Sequence, residues 1–412
     1  MKRPIIIVLL ILALALVGTG VLAVAFFTLG RPAIESIRPV VYATTEETKS
    51  LEVEGPFTLS VQDDAGKVSI VGSETDKVTV DIVKTGVGSS QERAQQSLKN
   101  IKYEIKQQGD VIKLIYDLPE RQLRDLNSVG TVDFLVTVPS DVNVEVNAGF
   151  GNIELEDLAG AVDVKTESGT VEASSINAAR EDIRLESSFG SIRLTNATGA
   201  NISLSSNSGT LEAENVRASQ DVELSTDFGN VVYEKGSASS LTISTNSGAV
   251  DLVSVNVSNA LVVKDEFGNI NLDRVNARSY DTQTNSGSIT IDGAKGSVEA
   301  QSGFGNITVT NAENATINLH TESGAIDFEG SLGEGPHQIG SNFGEIEVSI
   351  PADSALNVDL QTNFGTIKSD IPITVTLSGE SEKNHQTGTI NDGGPQLTVE
   401  TESGGISIQA SR

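Results

Sequence analysis

The chain of 412 residues has no cysteine, no tryptophan and only three histidines. The lack of cysteine excludes disulfide bonds, thiolate metal sites and a lipid-modified N-terminal cysteine. The histidines are His320, His337 and His385, and they show no pairing at metal-ligand spacing. A zinc site is therefore not expected, and we predict no bound metal and no cofactor.

Basic side chains are also scarce. The chain has 28 Lys and Arg against 56 Asp and Glu, for a net charge of −28. Such a surface repels nucleic acid and anionic lipid headgroups, so we expect no nucleic-acid partner. Weak divalent-cation binding is compatible with this charge, but the glycine-rich nonapeptide of calcium-binding β-rolls is absent. Solubility is the simpler reason for the acidic excess.

Glycine, by contrast, is abundant and regularly spaced. Fourteen glycines recur every 16–23 residues, and each is followed two positions later by Val, Ile or Leu: Gly151, Gly169, Gly190, Gly209, Gly229, Gly248, Gly268, Gly287, Gly305, Gly324, Gly344, Gly365, Gly388 and Gly404. A fixed period of about 20 residues is typical of a solenoid, in which each repeat buries its apolar face against its neighbours.

The repeat can be described by counting from its glycine. Positions −7, −5, +2 and +4 are mostly apolar, as in Val222, Leu224, Val231 and Tyr233 around Gly229, and position −3 is Ser or Thr in eleven of the fourteen repeats. Period-two alternation on both sides of a glycine predicts two short strands that meet at a corner. Glycine suits the corner because it adopts positive φ without a Cβ clash. We therefore predict an all-β parallel β-helix with repeats of about 19–20 residues and coils about 4.8 Å apart.

Position −1 alternates between Phe and Ser along most of the chain. By strand parity, this position shares the inward side with the residues at −7, −5 and −3, so we expect each Phe ring to lie over a small hydroxyl of the next coil. The competing interpretation is an exposed aromatic strip. The predicted corner and core residues are Gly151, Phe189, Gly190, Phe228, Gly229, Phe267, Gly268, Phe304, Gly305, Phe343 and Gly344.

The number of repeats in a coil stays open at this point. One repeat per coil would place Gly229 beside Gly209 and Gly248. Two repeats per coil would place it beside Gly190 and Gly268 instead.

The N-terminus carries a membrane signal. Lys2 and Arg3 precede an uncharged apolar run from Ile5 to Leu29, which is long enough to span a bilayer. The basic pair predicts a cytoplasmic N-terminus, so we expect residues 1–30 to be a transmembrane signal anchor at the bacterial cell membrane, with the rest extracytoplasmic. A cleaved signal peptide is the alternative, because Ala23-Val24-Ala25 resembles a cleavage site. Residues 31–50 are expected to form a juxtamembrane linker.

Residues 51–140 differ from the repeats. They predict a β-rich cap for the first coil, with strands near 101–106, 111–116 and 132–138. Ser89 or Ser90 can cap a helix over about 91–100. The solenoid repeats are expected over 141–412, with an irregular segment at 370–396 that contains Pro372 and Pro395.

A family resemblance follows from three segments. They are Asp133 to Pro139 with the valines that lead to Gly151, the helix-containing stretch from Leu59 to Gly109, and Gly388 to Pro395 leading into Ser403-Gly404-Gly405-Ile406. Together they resemble the bacterial putative-adhesin family, an extracytoplasmic β-helical domain of unknown function. The resemblance covers about residues 50–410. It implies the fold, a membrane anchor and a link to envelope stress, and it supplies no catalytic residues.

Three functions are compared on this basis, of which one, a fibre that assembles by end-to-end stacking, is disfavoured by the irregular segments at both ends of the solenoid. The first is a surface interaction or scaffold protein with an unidentified protein or envelope-polymer partner. The second is a β-helix enzyme that acts on polysaccharide, which would need two carboxylates about 5–10 Å apart. Sugar grooves usually present Trp or Tyr platforms, and this chain has no Trp and five Tyr. We therefore expect no enzyme activity and no catalytic residues.

Overall fold

The computed structural model describes residues 40–53, 55–118, 130–375 and 384–411. The predicted anchor over 5–29 and the first part of the linker lie outside these residues. Among the residues described, no helix is both long enough and apolar enough to cross a membrane.

The N-terminal region is a β-rich cap with one helix. Helix α1 spans Gln91–Asn100, as predicted, and Ser90 caps it by accepting a hydrogen bond from the Arg93 amide at 3.4 Å. The seven strands are β1 (Val41–Glu52), β2 (Thr58–Ala65), β3 (Val68–Ser73), β4 (Lys77–Gly88), β5 (Glu104–Gln108), β6 (Val111–Tyr116) and β7 (Thr131–Pro139).

Strand β1 corrects the predicted linker. Residues 41–50 are not a linker, because β1 pairs antiparallel with β4 over its full length. Helix α1 packs on β4 at Gly86 and Gly88, where a Cβ would lie 2.3–2.4 Å from backbone atoms of the helix. These two glycines therefore let the helix approach the strand closely.

The repeats from residue 143 onward form a parallel β-solenoid. Its strands are β8 (Asn143–Phe150), β9 (Ile153–Glu156), β10 (Val162–Ser168), β11 (Val171–Ser174), β12 (Asn177–Ala178), β13 (Ile183–Phe189), β14 (Ile192–Gly199), β15 (Ile202–Ser208), β16 (Leu211–Ala218), β17 (Asp221–Phe228), β18 (Val231–Glu234), β19 (Ser237–Ala238), β20 (Ser240–Ser247), β21 (Val250–Val253), β22 (Asn256–Val257), β23 (Ala260–Phe267), β24 (Ile270–Asp273), β25 (Ser279–Ser286), β26 (Ile289–Asp292), β27 (Lys295–Phe304), β28 (Ile307–Ser323), β29 (Ile326–Leu332), β30 (His337–Phe343), β31 (Ile346–Ile350), β32 (Leu356–Phe364), β33 (Ile367–Ser369), β34 (Ile373–Val375), β35 (His385–Ile390), β36 (Gln396–Ser403) and β37 (Ile406–Ala410).

Each coil contains one repeat. Strand β17, which ends just before Gly229, pairs in parallel with β15 and β20, so Gly229 lies between Gly209 and Gly248. The strands that precede the glycines stack into one sheet, the long face, and those that follow the glycines stack into a second, the short face. The side chains at −7, −5, +2 and +4 fill the interior, as predicted.

The solenoid begins earlier than the sequence analysis proposed. Strands β2 and β3 flank Gly66 and pair directly with β8 and β9, so Gly66 forms a corner of its own. Strands β6 and β7 then cover the outer edges of this coil. Residues 74–139 are therefore an excursion from the solenoid that returns to cap its first coil.

The C-terminal coils do not stack in chain order. Strand β36 lies between β30 and β32, so the coil of Gly404 sits between those of Gly344 and Gly365. Gly388 is not a corner, because it lies within β35, which pairs antiparallel with β32 and β34. Within the irregular segment predicted at 370–396, β34 and β35 thus form an antiparallel cover over the last long-face strand.

Candidate interaction surface

The site is built on the corner between the two faces. At ten corners the Ser or Thr hydroxyl at −3 donates a hydrogen bond of 2.8–3.5 Å to the carbonyl of the corner glycine in the neighbouring coil. Ser206, for example, donates to Gly190 at 3.0 Å. This column of buried hydroxyls satisfies backbone carbonyls that the turning chain leaves without a strand partner.

Glycine is required at the corner because the coils approach closely there. A Cβ on the corner glycines would lie 1.7–2.1 Å from a carbonyl oxygen of the adjacent coil, for instance 2.1 Å from Gly209 O at Gly229. Positive φ is the lesser reason, since only Gly66, Gly151, Gly169 and Gly248 have φ between 142° and 153°. The predicted role of these glycines therefore holds, but its main cause is steric.

The phenylalanines at −1 point outward, which contradicts their predicted place in the core. Phe189, Phe228, Phe267, Phe304 and Phe343 are 60–65% exposed. Phe150 and Phe364, the end members of the same column, are 44% and 79% exposed. The parity argument fails because the strand bends after −3, so the side chains at both −2 and −1 leave the interior. We call these seven side chains the phenylalanine ladder.

Phe and small residues alternate in space along the whole corner. In stacking order the −1 column reads Ala65, Phe150, Ser168, Phe189, Ser208, Phe228, Ser247, Phe267, Ser286, Phe304, Ser323, Phe343, Ser403 and Phe364. The alternation persists where chain order and stacking order differ, because Ser403 lies between Phe343 and Phe364. Successive rings are therefore two coils, or about 9.6 Å, apart.

A signal for this exposure was present in the sequence. Several Ser corners read Asn-Ser-Gly, as at Asn207-Ser208-Gly209 and Asn246-Ser247-Gly248. Asn and Ser beside Gly are turn-forming residues, which indicates that the regular alternation of the strand stops after −3. Position −1 then belongs to the turn and not to the inward face.

The residues beside the ladder are neutral at most positions but carry a net negative charge. Position −2 carries six acidic residues among the fourteen corners, at Asp64, Glu167, Asp227, Glu266, Glu322 and Glu402; the other −2 residues are Asn, Ser or Gly. At +1 the charged residues are Lys67 and Glu345. The ladder is thus an apolar strip bordered mostly by neutral polar side chains, and an exposed strip of this kind is typical of a docking surface.

Two carboxyl groups interrupt the hydroxyl column. Asp63 and Asp265 occupy −3, and each accepts a hydrogen bond of 3.1 Å from the amide two residues later. Their second oxygens are buried without a partner. Burial raises the pKa of Asp63 to about 8 and that of Asp265 to about 6. A protonated carboxyl can act as a donor, as the hydroxyls do in the other coils.

A second column of special residues was missed by the sequence analysis. Position +6 has a left-handed backbone conformation, with φ of 51–58° at Asp157, Ser175, Asn196, Asn215, Lys235, Ser254, Arg274 and Asn311, and with Gly293 at φ 84°. It directly follows the short-face strand in six of these coils and lies within the strand in the other three, at Asn196, Asn215 and Asn311. Asn and Asp tolerate this conformation best, and they occupy four of these positions. The residue at +6 therefore ends or bends the short-face strand in each of these coils.

The histidines are not brought together. His337 is buried, where its Nε2 lies 3.1 Å from Gly333 O and its Nδ1 accepts from the Ile317 amide, and burial lowers its pKa. His385 is exposed and contacts Asp359 at 2.7 Å. Across the described ranges, no group of three or more His, Asp or Glu side chains is arranged to hold a metal ion.

Several solved structures are similar to this chain at low sequence identity. A putative cell adhesion protein from Clostridium sporogenes is 10% identical, with 90% of this chain and 100% of that chain covered and a TM-score of 0.17. A putative adhesin from Bacteroides fragilis is 11% identical, with coverage of 89% and 97% and a TM-score of 0.23. A putative lipid binding protein from Parabacteroides distasonis is 14% identical, with coverage of 74% and 93% and a TM-score of 0.24.

Family membership rests on the sequence match. None of the curated proteins compared with the chain matches it. The Toastrack DUF4097 family, however, matches residues 58–302 and 235–409, which together include the cap, the glycine corners and the C-terminal coils. The chain therefore belongs to the Toastrack DUF4097 family.

Proposed function

We propose that this protein is an extracytoplasmic, adhesin-like interaction protein whose phenylalanine ladder is its docking surface. The observation that carries the proposal is the ladder itself: seven exposed rings on one edge of a rigid solenoid. Exposed aromatic side chains that stand in a row on a soluble domain are commonly binding determinants. The solenoid supplies the rigid support, because each coil is fixed by hydrogen bonds to both neighbours.

The proposal includes no catalytic role. A surface depression of about 520 Å³ lies on the short face, where it is open to solvent and lined by polar residues such as Asn306, Asp327 and Glu347. It borders the ladder at Asn306, Glu345 and Thr366, which directly follow corner glycines, but no ring of the ladder lines it. A polysaccharide-cleaving enzyme remains the second candidate, but no observation on the surface favours it. The acidic surface supports loose divalent-cation binding at most, and no nucleic-acid partner.

Substituting the ladder tests the proposal. Changing Phe228, Phe267 and Phe304 to Ser should abolish or strongly weaken retention of the protein on bacterial envelope fractions, because the central rings are the exposed apolar area of the corner. The free energy of unfolding should hardly change, since Ser already occupies the alternate corners. The measurement is retention of purified protein on immobilised envelope material, together with thermal unfolding. As a matched control, Ser208, Ser247 and Ser286 are changed to Ala. Equal retention by wild type and the Phe variant would refute a docking role.

We also propose that residues 5–29 anchor the chain in the bacterial cell membrane, with the solenoid on the extracytoplasmic side and in a position to take part in envelope stress responses. The full chain should then sediment with membranes in high salt and require detergent for release, because a span of 25 apolar residues inserts stably. Changing Leu10, Leu14 and Leu16 to Lys should abolish this retention. Recovery of wild type in the soluble fraction, with its mature N-terminus near Phe26, would establish cleavage instead.

A further inference from the structure

We propose that the phenylalanine ladder binds a second copy of this chain in an antiparallel dimer. The inference rests on the proposed docking role of the ladder and names the partner. Large and small side chains alternate along the ladder, so a second ladder displaced by one coil would fit its rings into the gaps above the small residues. A surface that complements itself is what a two-fold symmetric interface requires.

The number of corners makes the fit complete. The column has fourteen −1 residues and runs from a small residue, Ala65, to a ring, Phe364. Consider a two-fold axis that is perpendicular to the solenoid axis and passes midway between the coils of Ser247 and Phe267. This axis places every ring opposite a small residue. Phe267 then faces Ser247 of the second copy, Phe228 faces Ser286 and Phe364 faces Ala65. An odd number of corners would have prevented this full-length match.

The same two-fold axis also pairs each acidic residue at −2 with a neutral one. This axis brings the −2 side chains of one copy opposite those of the other. Each of the six acidic positions (Asp64, Glu167, Asp227, Glu266, Glu322 and Glu402) then faces a −2 residue that is Asn, Ser or Gly. Asp227 meets Asn285, and Glu266 meets Asn246. Like charges directly opposed at an interface weaken binding, and this arrangement contains none at −2.

A parallel arrangement does not work as well. With the two-fold axis along the solenoid, each Phe would meet its own counterpart ring, so no ring would lie over a small residue. A parallel shift by one coil restores the ring-to-gap fit. It produces, however, a heterologous contact that leaves coils unpaired at both ends and does not close. The antiparallel arrangement, by contrast, gives a closed dimer in which every ring faces a small residue.

The available area is sufficient for a stable dimer. The seven rings are 44–79% exposed, and a phenylalanine side chain buries about 150–250 Å². Covering the ladder would therefore bury about 800 Å² on each copy, which is the standard contribution of one partner to a specific interface. The net charge of −28 on each copy opposes association at low salt.

The absence of native cysteine allows a direct test of the register. We would change Ser208 and Phe304 to Cys in the full chain, embedded in lipid vesicles, and oxidise it. In the proposed dimer these two positions face each other, so a covalent dimer should form efficiently. Within one copy they are five coils, or about 24 Å, apart and cannot join. The matched control changes Ser208 and Phe343, which do not face each other and should not join. Equal cross-linking of both pairs would refute the proposed register.

Association itself is measured by sedimentation of residues 41–412, which contain all of the described solenoid and its core. We expect a dimer that tightens between 50 and 500 mM NaCl, as repulsion between the acidic copies is screened. Changing Phe228, Phe267 and Phe304 to Ser should weaken it at least about 100-fold, while Phe→Leu at the same positions should retain much of it. A wild-type monomer at every salt concentration would refute the dimer. If envelope retention still depended on the ladder, the docking role would stand and only the choice of partner would fail.

Discussion

Replacing Gly404 with Ala should detach the C-terminal coils from the rest of the solenoid. The added Cβ would lie 2.0 Å from Gly344 O, and neither backbone segment can move without breaking the strand pairing on both faces. We expect a loss of about 3–5 kcal/mol at this junction. Because solenoid stability is a sum of nearest-neighbour contributions, hydrogen exchange should accelerate over residues 340–410, while the coils before Ser323 keep their protection.

The neighbouring glycine provides the control for this substitution. A Cβ at Gly405 would have its nearest contact at 3.5 Å, from Thr366 O, which is ordinary van der Waals distance. Gly405→Ala should therefore leave both the exchange pattern and the unfolding temperature close to wild type. If the two variants behaved alike, the close approach of the coils would not be the reason for glycine at the corner.

The second large effect concerns Asp265 and pH. The unpartnered Oδ2 of Asp265 and the carbonyl oxygen of Gly248 both lie near the position that a Cβ on Gly268 would occupy. The distances from this position are 2.4 Å to Asp265 Oδ2 and 2.1 Å to Gly248 O. Two acceptors in this position favour a protonated carboxyl. Asp265→Thr, which places at this corner the hydroxyl found at most others, should therefore stabilise the protein by about 2–3 kcal/mol above pH 7.

The sign follows from proton linkage. Burial raises the folded-state pKa of Asp265 to about 6 from a usual value near 3.8. The folded state therefore binds more protons than the unfolded state between these values, and wild type loses stability relative to Asp265→Thr as the pH rises through this window. For Asp63→Thr the window should extend to about pH 8. The measurement is the difference in unfolding free energy between variant and wild type from pH 4 to 9, in which the opposing effect of His337 cancels.

A reciprocal variant sharpens this prediction. Thr245 is the register partner of Asp265 in the adjacent coil, and its hydroxyl donates to Gly229 O. Thr245→Asp should create a new loss of stability at high pH in an otherwise normal coil. Stability curves that run parallel for all three variants and wild type would show that the buried carboxyl groups do not titrate as argued.

The local features of the fold were predictable, and the features that depend on backbone bending were not. The prediction of helix α1 was correct because the two signals for it, the cap at Ser90 and the helical periodicity, lie within about ten residues of each other. The corner glycines matched because each carries its own apolar flanks. The predicted orientation of Phe228 was wrong, since the strand bends after Thr226 and turns the side chains of both Asp227 and Phe228 outward. The prediction of a corner at Gly388 was also wrong. The segment Gly388-Thr389-Ile390 has the sequence pattern of a corner, but the strand that contains it pairs antiparallel with β32.

The stacking order of the last coils could not be read from the sequence either. Nothing in the sequence near Ser403 or Gly404 indicates that their coil lies between those of Gly344 and Gly365. Only the alternation along the −1 column carries this information, since Phe343 and Phe364 would be adjacent in chain order and Ser403 separates them in space. The alternation of Phe and small residues at −1 is therefore regular in the stacking order of the coils, whereas in chain order it is interrupted after Phe343.

This inserted coil also bears on how the protein is made. Protein chains emerge from synthesis N-terminus first, and most solenoid coils can dock as they appear. The coil of Gly365 cannot, because its neighbour on both faces is formed by residues 396–410, which are made later. A chain that stops before Gln396 leaves β30 and β31 as open edges, which invite aggregation. The coil of Gly365 therefore reaches its place in the solenoid only after residues 396–410 have been made, so the order of synthesis and the order of stacking differ here.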